Sequence, residues 1–266
     1  QAAILRQWFT TFRDKRDIAL ELNTGGGKTL VGLLIAVSTM REMNEGVLYL
    51  VENKQLVDQV VSQAKELSIP AVPYNGKASI SADFDNGEVI LVGSYKALFN
   101  GLSAFGIKGS IDTQTIGGVI VDDAHASLTA LSDAFSLTIP AEDSEGLYRA
   151  LLHEFEDAFI AIGRRSAYDE LMSGIGDATV EIPFWYWIEK VQPISRMIRQ
   201  ALIEHGDSDK RLSRELTFKW PLLKDGLQYC QVIISRREIV IASLYPRIDL
   251  IPSFANAKRR IYMSAT

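Results

Sequence analysis

Cysteine is nearly absent. A single one, Cys230, stands among 266 residues; this excludes an intramolecular disulfide and a four-cysteine zinc or iron–sulfur site, and fits a reducing compartment, the cytoplasm by default. Long apolar runs are missing too. The longest, Leu30 to Val37, is far too short to span a bilayer, and the N-terminus lacks the basic-then-apolar layout of a signal peptide, so no membrane is expected. An excess of positive charge is also lacking. The net charge of −5 provides no global basic field, so any grip on a phosphate backbone has to come from loops on one face. The three histidines lie far apart and away from Cys230, which leaves no ligand spacing for a metal. What remains is an ordinary globular composition, 47% hydrophobic and 23% charged, able to bury a substantial core.

Apolar periodicity organises the chain. Ile4, Leu5, Trp8, Phe9 and Phe12 recur at helical intervals and predict a helix from Ala2 to Phe12. A short strand from Asp17 to Leu22, a glycine cluster and an apolar helix pattern from Thr29 follow. Strands at Val47–Val51, Val89–Gly93 and Gly118–Asp122 then alternate with helices at Lys54–Leu67 and Tyr95–Gly101. Such alternation predicts an α/β fold with a central, mainly parallel sheet flanked by helices. After Ala126 the texture changes. Helical stripes at Ser144–Ile162 and Phe184–Glu204, the second interrupted at Pro193, predict a mainly helical insertion over 127–227. Residues 228–255 carry two β-rich runs, Tyr229–Ile234 and Glu238–Leu244, as a hairpin, and Arg260–Met263 returns to a core strand. The core is therefore expected from 1–126 and 256–266.

Two motifs carry chemistry. In Asn23-Thr24-Gly25-Gly26-Gly27-Lys28-Thr29, between a strand and a helix, the glycines allow a tight backbone cradle around phosphates at a helix N-terminus. Lys28 would reach the β- and γ-phosphates and the Thr29 hydroxyl would ligate Mg²⁺. The first glycine of the usual pattern is Leu22 here. In Gly118-Val-Ile-Val-Asp122-Asp123-Ala124-His125, a buried strand delivers two carboxylates at its C-terminal end, where open α/β sheets bind ligands. Asp122 suits a metal ion, and Asp123 suits orienting or deprotonating an attacking water.

Asp122-Asp123-Ala124-His125 resembles the DEAH box of superfamily 2 helicases, and Ser264-Ala265-Thr266 resembles their SAT motif. The likeness covers roughly 1–126 and 256–266, not the insertion. It implies a RecA-like P-loop NTPase lobe that uses ATP and Mg²⁺, acts on single-stranded or duplex nucleic acid, and works with a second RecA-like lobe. The expectation is a piece of a larger motor that binds nucleotide but hydrolyses it poorly alone. Residues 48–59 are similar to the family's motif Ia and place Asn53 and Lys54 near a nucleic-acid backbone; residues 90–98 similarly place Ser94 and Lys96. His125 takes the position that couples nucleotide state to Ser264 and Thr266. For the adenine-reading glutamine, Gln1 has the better spacing to Lys28, with Gln7 in the same region.

One departure concerns rate. The family's catalytic Glu is Asp123 here, which retracts the carboxylate by roughly 1 Å, a displacement worth on the order of a hundredfold. The alternative to a motor is a module that holds nucleotide with little turnover. In the insertion, Phe184-Trp185-Tyr186-Trp187 admits either base stacking or packing, and Arg164, Arg165, Arg196, Arg199, Lys210, Arg211 and Arg214 admit either a backbone track or solvation.

Overall fold

The computed structural model describes residues 1–23, 27–76, 80–142, 144–205 and 211–265. Of the residues singled out above, Thr24, Gly25, Gly26, Lys210 and Thr266 lie outside the described residues. The chain divides into two compact units, Gln1–Leu131 with Ile248–Thr266, and Ser132–Arg247.

In chain order the first unit opens with helix α1 (Ala2–Gln7), strand β1 (Asp17–Glu21), α2 (Lys28–Met43), β2 (Val47–Val51), α3 (Lys54–Glu66), β3 (Ala71–Tyr74) and α4 (Ala82–Asp85). It continues through β4 (Ile90–Ser94), α5 (Tyr95–Leu98), β5 (Gly118–Asp122) and the start of α6 (Ala124–Ala134). The second unit holds β6 (Ser136–Pro140), α7 (Glu145–Glu154), α8 (Glu156–Ala161), α9 (Arg165–Ser173), β7 (Thr179–Ile182), α10 (Phe184–His205), α11 (Arg211–Leu223), β8 (Cys230–Ser235) and β9 (Glu238–Ser243). The chain then returns to the first unit with α12 (Pro252–Ala255) and β10 (Arg259–Ser264). Among the described residues no helix is long and apolar enough to cross a membrane.

The first unit is built on a six-stranded sheet in the order β1-β10-β5-β2-β4-β3, with every neighbouring pair parallel. A parallel sheet covered on both faces reads as a continuous apolar run, and β2, Val-Leu-Tyr-Leu-Val, is buried at every position. Edge strand β3 escapes sequence reading because it has only four residues and contains Pro73, which lacks a donor and is tolerated where pairing is one-sided. At the N-terminus the helix expected through Phe12 changes register, continuing as a π-helical turn over Trp8–Phe12. Trp8 is buried there beneath the Arg259 guanidinium, 5.3 Å from its ring centroid. That guanidinium donates to Thr39 at 2.8 Å, to Glu42 at 3.1 Å and to the Arg13 carbonyl at 2.5 Å, tying the N-terminal segment to α2 and β10.

The second unit contains a four-stranded antiparallel sheet in the order β6-β9-β8-β7. The hairpin expected over 228–255 is its centre, while both outer strands come from the stretch read as helical. Ser-Leu-Thr-Ile-Pro and Thr-Val-Glu-Ile do alternate, but four or five residues of period two are faint beside long helical stripes. Helix α10 also runs on through Pro193 rather than breaking there. A mid-helix proline costs about 3 kcal/mol. Trp187, Ile194 and Ile198 are fully buried on this helix, and at about 1.5–3 kcal/mol each they outweigh it.

Candidate functional site

The sheet order explains the site. The chain leaves β1, passes β10 and β5 to build β2, and returns at its end to insert β10 between β1 and β5. Three strand ends therefore lie side by side, with Glu21 in register with Ser264 and Met263 with Asp122. The Leu22 amide donates to the Ser264 carbonyl at 2.9 Å, so the phosphate-loop strand and the Ser264-Ala265 segment are joined where the loop begins.

Gly27 begins α2 in the left-handed region, φ 73°, and a Cβ there would sit 1.9 Å from the Gln1 side-chain nitrogen. Only glycine lets the Gln1 amide lie against the loop. Gln7 instead lines a separate groove with Trp8, Leu20 and Glu21. Lys28 and Thr29 form the first turn of α2, where unpaired amides and the helix dipole favour an anion. The Lys28 ammonium lies 3.3 Å from Asp122 Oδ1, and both side chains are largely shielded, at 23% and 15% exposure.

Asp122 ends β5 in a polar setting made by buried tyrosines. The Tyr49 hydroxyl donates to Asp122 Oδ2 at 3.4 Å and is also hydrogen-bonded with the Thr29 side chain. Tyr49 fits because Gly32 on α2 leaves room: a Cβ at Gly32 would be 2.9 Å from the Tyr49 ring and hydroxyl. Tyr95 donates to the Asp122 and Asp123 carbonyls, the latter at 2.9 Å. Burial pushes the Asp122 carboxyl above its ordinary pKa, and the Lys28 charge and Tyr49 hydrogen bond pull back against it. Burial likewise raises both tyrosines, Tyr49 far above its usual value, so their hydroxyls remain donors.

A divalent cation fits these residues. Asp122 Oδ1 is buried with the Lys28 ammonium as its ion-pair partner among the described residues, which leaves lone pairs for a cation, and the Thr29 hydroxyl sits close by through Tyr49. Asp123 is exposed, at φ 66°, a conformation that aspartate tolerates better than most residues. Its Oδ1 accepts from the amides of His125 and Ala126 at 3.2 and 3.3 Å, capping α6. His125 Nδ1 lies 3.3 Å from Ser264 Oγ, a direct link between the second carboxylate turn and the last core strand.

A family model described as DEAD/DEAH box helicase matches residues 2–139. The chain belongs to this family. Two solved structures share its fold. The one titled "Structure of S. tokodaii Xpd4" is 16% identical with a TM-score of 0.58, covering 100% of this chain and 56% of that one. The one titled "XPD_APO" is 15% identical with a TM-score of 0.54, covering 99% of this chain and 53% of that one. The chain thus spans little more than half the length of these relatives in fold. No curated protein matches the sequence significantly. The first unit is accordingly a helicase-family ATP-binding domain with a RecA-like α/β fold.

The four residues expected near a nucleic-acid backbone fall on the same end of the sheet. Asn53 follows β2 and caps α3 by accepting from the Leu56 amide at 3.1 Å, with Lys54 exposed beside it. Ser94 ends β4 in register with Val51, and Lys96 follows, exposed, on α5. Because β2 lies between β4 and β5, these four residues neighbour the carboxylates along one edge. Sequence reasoning missed Tyr49, Tyr95 and Gly32. The signal was present for Tyr49: a hydroxyl inside an otherwise apolar buried strand must find a partner.

Proposed function

We propose that this domain is the first ATP-binding lobe of a superfamily 2 motor that couples ATP hydrolysis to unwinding of, or translocation along, nucleic acid. The observation that carries the reading is the Lys28–Asp122 pair at 3.3 Å, formed where three strand ends converge at a helix N-terminus. The loop from Asn23 to Thr29, with Gln1 against it, would hold ATP, and Lys28 would neutralise the β- and γ-phosphates. Mg²⁺, held by Thr29 and Asp122, would supply charge stabilisation on the phosphates. Asp123 would orient the attacking water. The His125–Ser264 contact would pass nucleotide state to the Ser264–Thr266 segment, and Asn53, Lys54, Ser94 and Lys96 would meet the nucleic-acid backbone. A second RecA-like lobe, probing the same nucleotide from its other side, would complete the motor.

One observation favours a second reading, nucleotide binding with little turnover: the Asp123 carboxylate is already engaged with two amides of its own helix. The test is steady-state ATP hydrolysis by the longest natural chain containing this segment, with and without single-stranded DNA or RNA. Stimulation by one polymer, reduced at least about a hundredfold by Lys28→Ala, supports the motor. Lys28-dependent binding without turnover supports the holding module.

A further inference from the structure

The second unit contains a cleft of about 820 Å³ that none of the helicase motifs uses. Four arginines line it: Arg236 and Arg237 from the turn joining β8 to β9, Arg149 from α7 and Arg211 from the start of α11. Two carboxylates, Glu142 and Glu238, also line it, and Glu238 is paired with Arg211 at 3.0 Å. Among the described residues the ion partner of Arg236 is Asp177, loosely placed at 3.9 Å, whose side chain is 98% exposed and therefore screened by water. Among the described residues the lining thus holds four arginines against two carboxylates.

This gathering of charge is not what folding alone selects. Neither Arg236 nor Arg237 has a positive φ, so the backbone admits many residue types at this turn, and two adjacent arginines bring mutual repulsion and long, mobile side chains. The turn is nevertheless braced. Tyr148, buried beneath it, donates to the Ser235 carbonyl at 2.7 Å; the Ala141 amide donates to the Arg237 carbonyl at 2.8 Å; Ser235 Oγ and Glu238 close the turn at 3.1 Å. A rigid mount carrying guanidinium groups over a ligand-sized hollow is the arrangement that recognises phosphate by paired N–H donors.

We infer that this cleft is a second phosphate-binding site, separate from the nucleotide loop, taking either the phosphodiesters of a nucleic-acid strand or a free phosphorylated small molecule. It goes beyond the proposed motor activity and does not require it. The strand arm is measured as the affinity of the longest natural chain for a fluorescent single-stranded oligonucleotide over a range of salt. The small-molecule arm is calorimetry with inorganic pyrophosphate in a Lys28→Ala background, which silences the nucleotide loop. Arg236→Ala/Arg237→Ala is expected to weaken one of the two ligands about tenfold or more, and Arg236→Lys/Arg237→Lys to restore part of the loss. If the ligand is a strand, the slope of log affinity against log salt should also fall by about 1.4, the equivalent of two phosphate contacts. Loss of strand affinity assigns the site to nucleic acid, and loss of pyrophosphate affinity alone assigns it to a free phosphorylated ligand. Unchanged affinity for both overturns the inference. Lys28-dependent ATP hydrolysis is expected to survive the arginine substitutions, so its absence from the parent protein counts against the motor reading and not against the cleft.

Discussion

Strands β2, β4 and β5 of the parallel sheet expose their residues differently from the strands of the antiparallel sheet, while β10 alternates as β8 does. In the parallel sheet β2 is buried throughout, and β4 and β5 are buried except at their last residues, Ser94 and Asp122. In the antiparallel sheet β8 alternates buried and half-buried positions along its whole length. A strand covered on both faces has only its ends available for chemistry, so functional residues gather at strand–helix junctions and are contiguous in sequence. A sheet covered on one face has no such bottleneck. The arginines of the second unit accordingly come from a turn and two helices and leave no motif.

The comparison is sharpest at Asp123, where the residue proposed to orient water also caps α6. Asp123→Ala should slow polymer-stimulated hydrolysis at least about a hundredfold, and removing the α6 cap should cost about 1 kcal/mol of stability. Asp123→Glu separates the two roles. The longer side chain reaches further toward a water and no longer fits the cap, so hydrolysis should rise above the parent while the melting temperature falls. A slower Asp123→Glu enzyme would show instead that the backbone at φ 66° already places the shorter carboxylate correctly.

The next largest effect tests how tightly the parallel sheet is covered. Alanine in place of glycine inside a helix normally stabilises by about 1 kcal/mol. At Gly32 the new Cβ would lie 2.7 Å from the Met263 methyl and 2.9 Å from the Tyr49 ring. Overpacking costs about 1–3 kcal/mol, so Gly32→Ala should destabilise by up to about 2 kcal/mol in urea titrations and weaken MgATP binding by displacing Tyr49 from Asp122. A stabilised Gly32→Ala protein would mean that α2 can lift off the sheet freely.

These contrasts account for what the sequence revealed. The strands β2, β4 and β5 were legible because burial on both faces writes itself as nearly uninterrupted apolar residues, whereas β1 and β10 carry polar residues and alternate, and were read from their place beside the glycine cluster and the Ser264–Thr266 end. Also legible was the placing of Lys28 at a helix start and of Asp122–His125 at a strand–helix junction, because both segments follow strand runs in the sequence. The contacts of Tyr49 and Tyr95 were not legible, since they depend on β2 lying between β4 and β5, strands that are distant in sequence. Strands β6 and β7 were hidden by their shortness. The aromatic run Phe184–Trp187 divides in a way no pattern announces: Trp187 is fully buried and donates to the Leu227 carbonyl at 2.7 Å, while Trp185 is 65% exposed.

Tyr95→Phe provides a smaller test. It leaves the Asp122 and Asp123 carbonyls without their buried donor and should cost about 1–2 kcal/mol in urea titrations. Burial and the neighbouring carboxylates of Asp122, Asp123 and Glu52 hold the Tyr95 hydroxyl well above its ordinary pKa, so it donates throughout the range from about pH 6 to 9. The loss should therefore be the same at both ends of that range. A pH-dependent loss would mean that the hydroxyl titrates, and that the carboxylate turn is more open to water than its burial indicates.

The smallest effect belongs to the second unit and mirrors Gly32. Gly146 lies in α7 with no atom within 4 Å of an added Cβ, so Gly146→Ala should stabilise by up to about 1 kcal/mol. Cys230, in β8 of the same unit, supplies the local readout. Its thiol is 1% exposed and burial pushes its pKa up to about 12, so at pH 8 the folded protein offers almost no thiolate and alkylation proceeds through opening. Alkylation should therefore slow by up to about fivefold in Gly146→Ala, the same 1 kcal/mol expressed as an opening equilibrium. Gly32→Ala should leave that rate unchanged if the two units open independently. Faster alkylation in Gly32→Ala would show that they unfold as one, and the contrast between the sheets would then be one of exposure and not of stability.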